Sequence, residues 1–358
     1  MVTLPSWRKK APFQGATSEG TGVLDVLDAL KGDKAGADWL AALDDPAIPG
    51  LAVELPDALD LPDVLLDLAV PHEDIAELLR LYAELTASPE LMSLLGRAVA
   101  GLLWRMGEPG RGAGLPEVPA AAGAMGRCFA VFVFVAALPH TRAYHRGRGI
   151  PDDVSRRTLA DLGRNLAVHR RRFGTTGLLV PWWPTRHFRG ELYQLGRLQF
   201  ERLRLGRRTA EGLRRAGAAV DAGDPAFGVH IPDFRGPMTP QACDDSLARA
   251  REFFARHFPE EPARVAVCHS WLLDPQLRQY LPAGSNIVRF QERFDIWRVD
   301  EEPEDDTSVA FVFGGTETPR AQLPRRTSVQ RAVLGHLDAG GHWYLGHGWF
   351  PMRREPGA

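Results

Sequence analysis

Apolar residues recur at three- and four-residue spacing through the first half of the chain, and alternation at every second residue enters only later. Residues 74–85 place Ile75, Leu78, Leu79, Tyr82 and Leu85 on one helical face, and residues 91–106 do the same with Leu94, Leu95, Val99, Leu102 and Leu103. A third run starts at Pro151. Asp152 and Asp153 suit the positive end of a helix, Arg170, Arg171 and Arg172 suit its negative end, and Val154, Leu159, Leu162, Leu166 and Val168 form its buried stripe. Pro- and Gly-rich breaks, notably 108–119, separate these elements. The most apolar window, 129–138, has Arg127 at its edge and is too short for a bilayer, so it predicts a buried core segment.

After Gly174 the pattern changes. Trp182, Trp183, Phe188, Tyr193 and Phe200 mark aromatic-rich, strand-like stretches, and 193–203 reads as an alternating strand. One face of that strand carries Tyr193, Leu195, Arg197, Gln199 and Glu201. A strand at 227–231 leads through a Pro/Gly loop into a helix with Thr239 as N-cap and Pro240 at its first position. Asp244 and Asp245 favour the start of that helix, and Leu247, Ala250, Phe254 and Phe258 give it an apolar face. Further on come a strand at 264–269, a short helix at 274–281, strands at 286–299 and 308–313, and a helix at 327–337. The predicted class is α+β: a helical domain over 1–165, then a mixed β-sheet domain over 166–358.

Composition narrows the function. A net charge of −2 over 358 residues gives no electrostatic footprint for nucleic acid. Three cysteines far apart, Cys128, Cys243 and Cys268, suggest neither a disulfide framework nor a zinc site. The basic stretch Trp7, Arg8, Lys9 and Lys10 has no apolar segment behind it, so neither a signal peptide nor a membrane association is expected, and the expected compartment is the cytoplasm. His336, His342 and His347 lack nearby thiolates, and the Gly-rich tail around them reads as a structural turn rather than a metal site.

Two strand ends carry chemistry. Residues 227–232 close an apolar run on His230, and 265–271 do so on His269 and Ser270, each shortly before a helix. In open α/β sheets such carboxyl ends line the ligand crevice, so neighbouring strands would bring both histidines together. Ser270 and His269 point to opposite faces and form no dyad, and no G-x-S-x-G elbow exists.

The segments GRLQFE (196–201), VHIP (229–232), CHSWLLDP (268–275) and SNIVRFQERF (285–294) resemble those of a bacterial acyltransferase family. Its members join a helical N-acyltransferase N-terminal domain to a GNAT-like C-terminal domain. The resemblance implies acyl-CoA as donor and a small-molecule amine as acceptor, with oligomeric state left open. It makes 227–231 the fourth GNAT strand and 264–269 the fifth, splayed apart to admit the pantetheine. Backbone groups up to Ile231 would bond the pantetheine, while Asp233, Arg235, Gly236 and Thr239 would cradle its pyrophosphate. His230 or His269 would serve as base, with Glu201 as an alternative, and Ser270 or Tyr280 as acid. Tyr193, Arg197, Gln199 and Glu292 are the candidates for binding the acceptor. The Arg/Gln-x-x-Gly-x-Gly/Ala loop of GNAT proteins is not reproduced at 233–238, where Pro237 removes a donor. The rival expectation is therefore a non-catalytic ligand-binding or regulatory protein on a degenerate GNAT scaffold.

Overall fold

The computed structural model describes residues 25–352, except 113 and 179. The basic stretch at 7–10 lies outside the described residues. The chain divides into two compact units that meet between Tyr193 and Gln194. The helical unit therefore extends past residue 165, where the sequence suggested a boundary, because the helices Asp161–Phe173 and Trp182–Phe188 pack with it.

In the helical unit the predicted runs become the helices His72–Ala87 and Pro89–Leu103. Ser88 caps the second, accepting from the Leu91 amide at 3.2 Å, with Pro89 at the first position where its missing N–H costs nothing. The run from Pro151 is two helices, Asp152–Leu159 and Asp161–Phe173, rather than one. Just past the break, the Gly163 amide donates to the Leu68 carbonyl, and a Cβ at Gly163 would run into the backbone of Leu68 and Ala69. The apolar window 129–138 is the middle of a longer helix, Gly123–Gly147, whose residues Val131 to Phe134 are all inaccessible to solvent. By length and composition this helix would pass for a membrane span. With 72% of its apolar window buried, it is the core helix of the unit.

A buried arginine ties this unit together. Arg189, 3% exposed, donates to Glu191 Oε1 at 2.7 Å and to the carbonyls of Leu102 and Trp104 at 2.5 and 2.9 Å. Arg105 O accepts from it at 3.2 Å. The guanidinium satisfies the irregular chain that leaves the helix Pro89–Leu103, where carbonyls have no intrahelical partner.

The second unit is built on a six-stranded mixed sheet. Its strands are β1 (Leu192–Leu195), β2 (Leu198–Arg204), β3 (Pro225–His230), β4 (Val265–Ser270), β5 (Asp295–Pro303) and β6 (Tyr344–Pro351), in the order β1-β2-β3-β4-β6-β5. The stretch 193–203 is two strands rather than one, because Gly196 takes φ +83° and turns the chain. β3 and β4 run parallel and are joined by the helix Pro240–His257, where Phe254 stacks on Phe227 with centroids 4.2 Å apart. Thr239 caps this helix, accepting from the Ala242 amide at 3.2 Å.

Three readings are corrected here. Residues 286–291 are the helix Asn286–Gln291, capped by Ser285, and the strand begins only at Asp295. The apolar run 308–313 belongs to the helix Asp305–Phe313, opened by Asp305 and Asp306 and closed by Gly314 at φ +87°. The Gly/His/Trp-rich tail is β6, a central strand. Its Gly346 and Gly348 lie where any Cβ would strike Leu273 and Phe294, which explains glycine inside a strand.

Replacing Arg189 by Ala should leave Glu191 charged and buried, with the Leu102 and Trp104 carbonyls unpaired. The expected loss is about 3–5 kcal/mol in denaturant unfolding, against less than about 1 kcal/mol for Arg80→Ala, whose partner Glu84 is exposed. Equal midpoints for the two variants would contradict this account.

Candidate functional site

Cross-strand register decides which side chains share a face. Gln199 pairs with His230 and Glu201 with Gly228 across β2 and β3. Across the parallel pair, Phe227 aligns with Ala266 and Gly228 with Val267, and no pair is registered between β3 and β4 beyond these two. Both strands nevertheless continue, β3 against β2 as far as His230 and β4 against β6 as far as Ser270. The two strands thus stop pairing with each other just before the histidines. His230 lies two residues past Gly228, and His269 two past Val267, so period-two alternation puts both on one face at the point of parting.

Each histidine is backed by a carboxylate, one directly and one through a second ring. His230 Nε2 is 2.8 Å from Glu201 Oε2, with both side chains partly accessible. Gly228 leaves room for this ring: a Cβ there would stand 3.1 Å from His230 Nε2 and 3.4 Å from Glu201 Cβ. His269, paired in register with His347, meets it Nδ1 to Nδ1 at 2.6 Å. His347 Nε2 is in turn 3.0 Å from Asp300 Oδ1, and Arg298 bonds the same oxygen at 2.6 Å. Burial is the main reason that the His269 pKa falls to about 3, with His347 and His230 acting in the same direction against Asp300 and Glu201. Burial also lowers His347, against the pull of Asp300. Both rings are therefore neutral at ordinary pH.

The loop from β3 to the helix Pro240–His257 is held by Arg197. Its Nε donates to the Gly236 carbonyl at 2.9 Å and its Nη1 to the Pro232 carbonyl at 3.1 Å. Phe234 and Gly236 take positive φ, +58° and +75°, within this loop, which also carries Ile231, Asp233 and Arg235 before Thr239.

The remaining candidates fall elsewhere. Tyr193, on β1, is fully buried, its hydroxyl donating to the Gly190 carbonyl at 3.0 Å. Gln199 shares the histidine face but is also fully buried. Ser270 Oγ accepts from the Leu272 amide at 3.1 Å, capping a short 3-10 turn. Tyr280 is hydrogen-bonded to His336 Nδ1 at 2.8 Å. Glu292 ends the helix Asn286–Gln291 and pairs with Arg289 at an accessible surface, not on a strand. The structure thus brings together Glu201, His230 and His269. It adds His347 and Asp300, whose signal, a histidine flanked by glycines in an apolar run, is open to two readings. Among the described residues no group of three His, Cys, Asp or Glu could hold a metal ion.

Residues 59–190 match the N-acyltransferase N-terminal domain and 192–350 the GNAT-like C-terminal domain. Among solved structures, an acyltransferase mutant in complex with octanoyl-CoA is 38% identical, covering 92% of this chain and 98% of that one, with a TM-score of 0.80. An acyltransferase in complex with CoA and 10C-teicoplanin is also 38% identical, over 92% and 100% of the two chains, at 0.80. One in complex with decanoyl-CoA and teicoplanin matches at 38% over the same shares, at 0.78. No curated protein matches.

Cys268, next to His269, invites a thiol nucleophile, yet it points to the opposite sheet face. Burial drives Cys268 and Cys128 up to about 12 and raises Cys243. Since the thiolate is the reactive form, none of the three should react with a thiol reagent in the folded protein at mildly alkaline pH. All three should react after unfolding. Rapid labelling of Cys268 in the native chain would reopen a covalent acyl-cysteine route.

Proposed function

The chain belongs to the acyltransferase family that joins an N-acyltransferase N-terminal domain to a GNAT-like C-terminal domain, and from that premise we propose that it moves a medium-chain acyl group from acyl-CoA to an amine of a glycopeptide-like acceptor. The observation that carries the reading is the parting of β3 from β4 with His230 and its Glu201 partner at the opening. The donor class is supported by relatives crystallised with octanoyl- and decanoyl-CoA, and the acceptor class by relatives crystallised with teicoplanin or its 10C form.

In the proposed reaction the amine nitrogen attacks the thioester carbonyl, its proton leaves, the C–S bond breaks and the thiolate is protonated. One amide and one free thiol result. Glu201 accepts from His230 Nε2–H, so the lone pair of that ring sits on Nδ1, where it takes the amine proton. The same imidazolium then protonates the departing sulfur, which removes the need for Tyr280 or Ser270 as acid. Inner-edge backbone groups of β3, and of Ile231 just after it, serve the pantetheine. Asp233, Arg235, Gly236 and the helix start at Thr239 face its pyrophosphate, with Arg197 holding that loop in shape.

Thermal unfolding against acyl-CoAs from acetyl to palmitoyl tests the donor. With every acyl-CoA at one concentration, about 100 times the dissociation constant of the tightest, that donor adds about 2.7 kcal/mol, and the expected shift peaks at the octanoyl and decanoyl chains. With a glycopeptide amine as acceptor, His230→Ala should lower kcat by about 10²–10⁴-fold and leave the donor-induced shift intact. No shift with any acyl-CoA or free CoA would favour the non-catalytic scaffold instead.

A further inference from the structure

The chain of groups behind His269 has a direction that follows from counting protons. His347 Nε2 faces Asp300 Oδ1, an oxygen that is also held by Arg298. A carboxylate oxygen and a bare ring nitrogen repel, so the proton of His347 sits on Nε2 and is donated to Asp300. His347 is a neutral ring, since burial lowers its pKa, and its Nδ1 therefore carries the lone pair. That lone pair stands 2.6 Å from His269 Nδ1, and two lone pairs cannot face each other at hydrogen-bond distance. His269 must carry its own proton on Nδ1 and donate it. Being neutral as well, it keeps Nε2 bare.

We infer that His347 and Asp300 are positioning residues that lock His269 into the Nδ1–H tautomer, so that its Nε2 lone pair accepts a hydrogen bond from the incoming acceptor amine. The inference deepens the acyl-transfer reading and rests on it for its purpose. An attacking amine must aim its lone pair at the thioester carbonyl, and fixing one N–H fixes that direction. His269 suits the role because it stays neutral: it orients the nitrogen, while His230 takes the proton. The two rings lie on one face of the sheet at the parting of β3 and β4, near enough for His230 and Glu201 to act electrostatically on His269. The division of labour follows from the surroundings, a carboxylate touching one ring and a second imidazole touching the other.

Nitrogen-15 spectra of the histidine-labelled full chain at neutral pH read the tautomers directly, because N–H and lone-pair ring nitrogens resonate far apart. His269→Gln and His347→Gln variants assign the signals. The expected result is lone-pair character at His269 Nε2 and His347 Nδ1, with N–H character at the other nitrogen of each ring. Asp300→Ala should convert His269 to a mixture of tautomers. The same variant should lower kcat by about ten- to a hundredfold, with KM for acyl-CoA changed less than about twofold. A proton on His269 Nε2, a doubly protonated His347, or wild-type kcat in Asp300→Ala would each overturn the inference. If the unaltered chain acylates no amine, the transfer reading fails, and the spectra still decide the tautomer.

Discussion

Everything at the candidate site depends on two parallel strands ceasing to pair while each keeps its outer neighbour. β2 holds β3 as far as His230, and β6 holds β4 as far as Ser270, so neither strand frays where the pair opens. Backbone N–H and C=O groups demand partners wherever they are withdrawn from water. The edges that face each other beyond Gly228 and Val267 are therefore a template for an extended, amide-bearing chain, which pantetheine is. Gly228 contributes by absence. A side chain there would press on the His230 ring, Leu203 and Glu201, so the last paired position is also the one that leaves the ring seated on its carboxylate.

The sheet joins groups that the sequence scatters. Glu201 and His230 are 29 residues apart, His269 and His347 78, and His347 and Asp300 47. Each contact runs across neighbouring strands, so the site is as rigid as the ladders that carry it. Burial then separates the two imidazoles chemically. His269 lies deeper and is held neutral, whereas His230 keeps an accessible edge beside the Glu201 carboxyl group. In the proposed reaction one sheet would thus supply both the ring that orients the amine and the ring that takes its proton.

The parts of this arrangement that were legible in sequence are those fixed by local chemistry. Thr239 and Pro240 mark a helix start by capping, and the apolar runs ending at His230 and His269 mark strand ends. The misread segments are ones where local pattern and tertiary context disagree. Residues 286–291 and 305–313 are too short for periodicity to separate helix from strand, and the Ser285 cap and the first-turn acids Asp305 and Asp306 are the better guide. The tail around His347 is glycine-rich for a reason that no local rule contains. Leu273 and Phe294 pack where the side chains of Gly346 and Gly348 would be, so a central strand takes on the composition of a turn. With β6 read as a turn, neither His347 nor Asp300 on its neighbour β5 could be placed beside His269. Arg197 and Gln199 show the converse error. Arg197 lies in the turn between β1 and β2 rather than on a strand face and spends its donors on the chain's own carbonyls, while Gln199 is buried beside His230.

That use of Arg197 bears on the one place where the loop departs from the GNAT pattern. In a trans peptide the carbonyl and the following N–H point in opposite directions. With the Pro232 carbonyl turned to Arg197, the Asp233 N–H is directed away from the guanidinium. The Gly236 carbonyl is fixed the same way, and there Pro237 follows, so that peptide has no N–H to present. A glycine-rich loop cradles an anion by being free to aim many amides. This loop is instead set by an arginine and by the left-handed conformations of Phe234 and Gly236. It gives up a donor at Pro237 and gains a shape that no longer depends on the ligand. The missing signature is thus a different solution to holding the turn between β3 and its helix, and by itself it does not argue against an anion at the helix start.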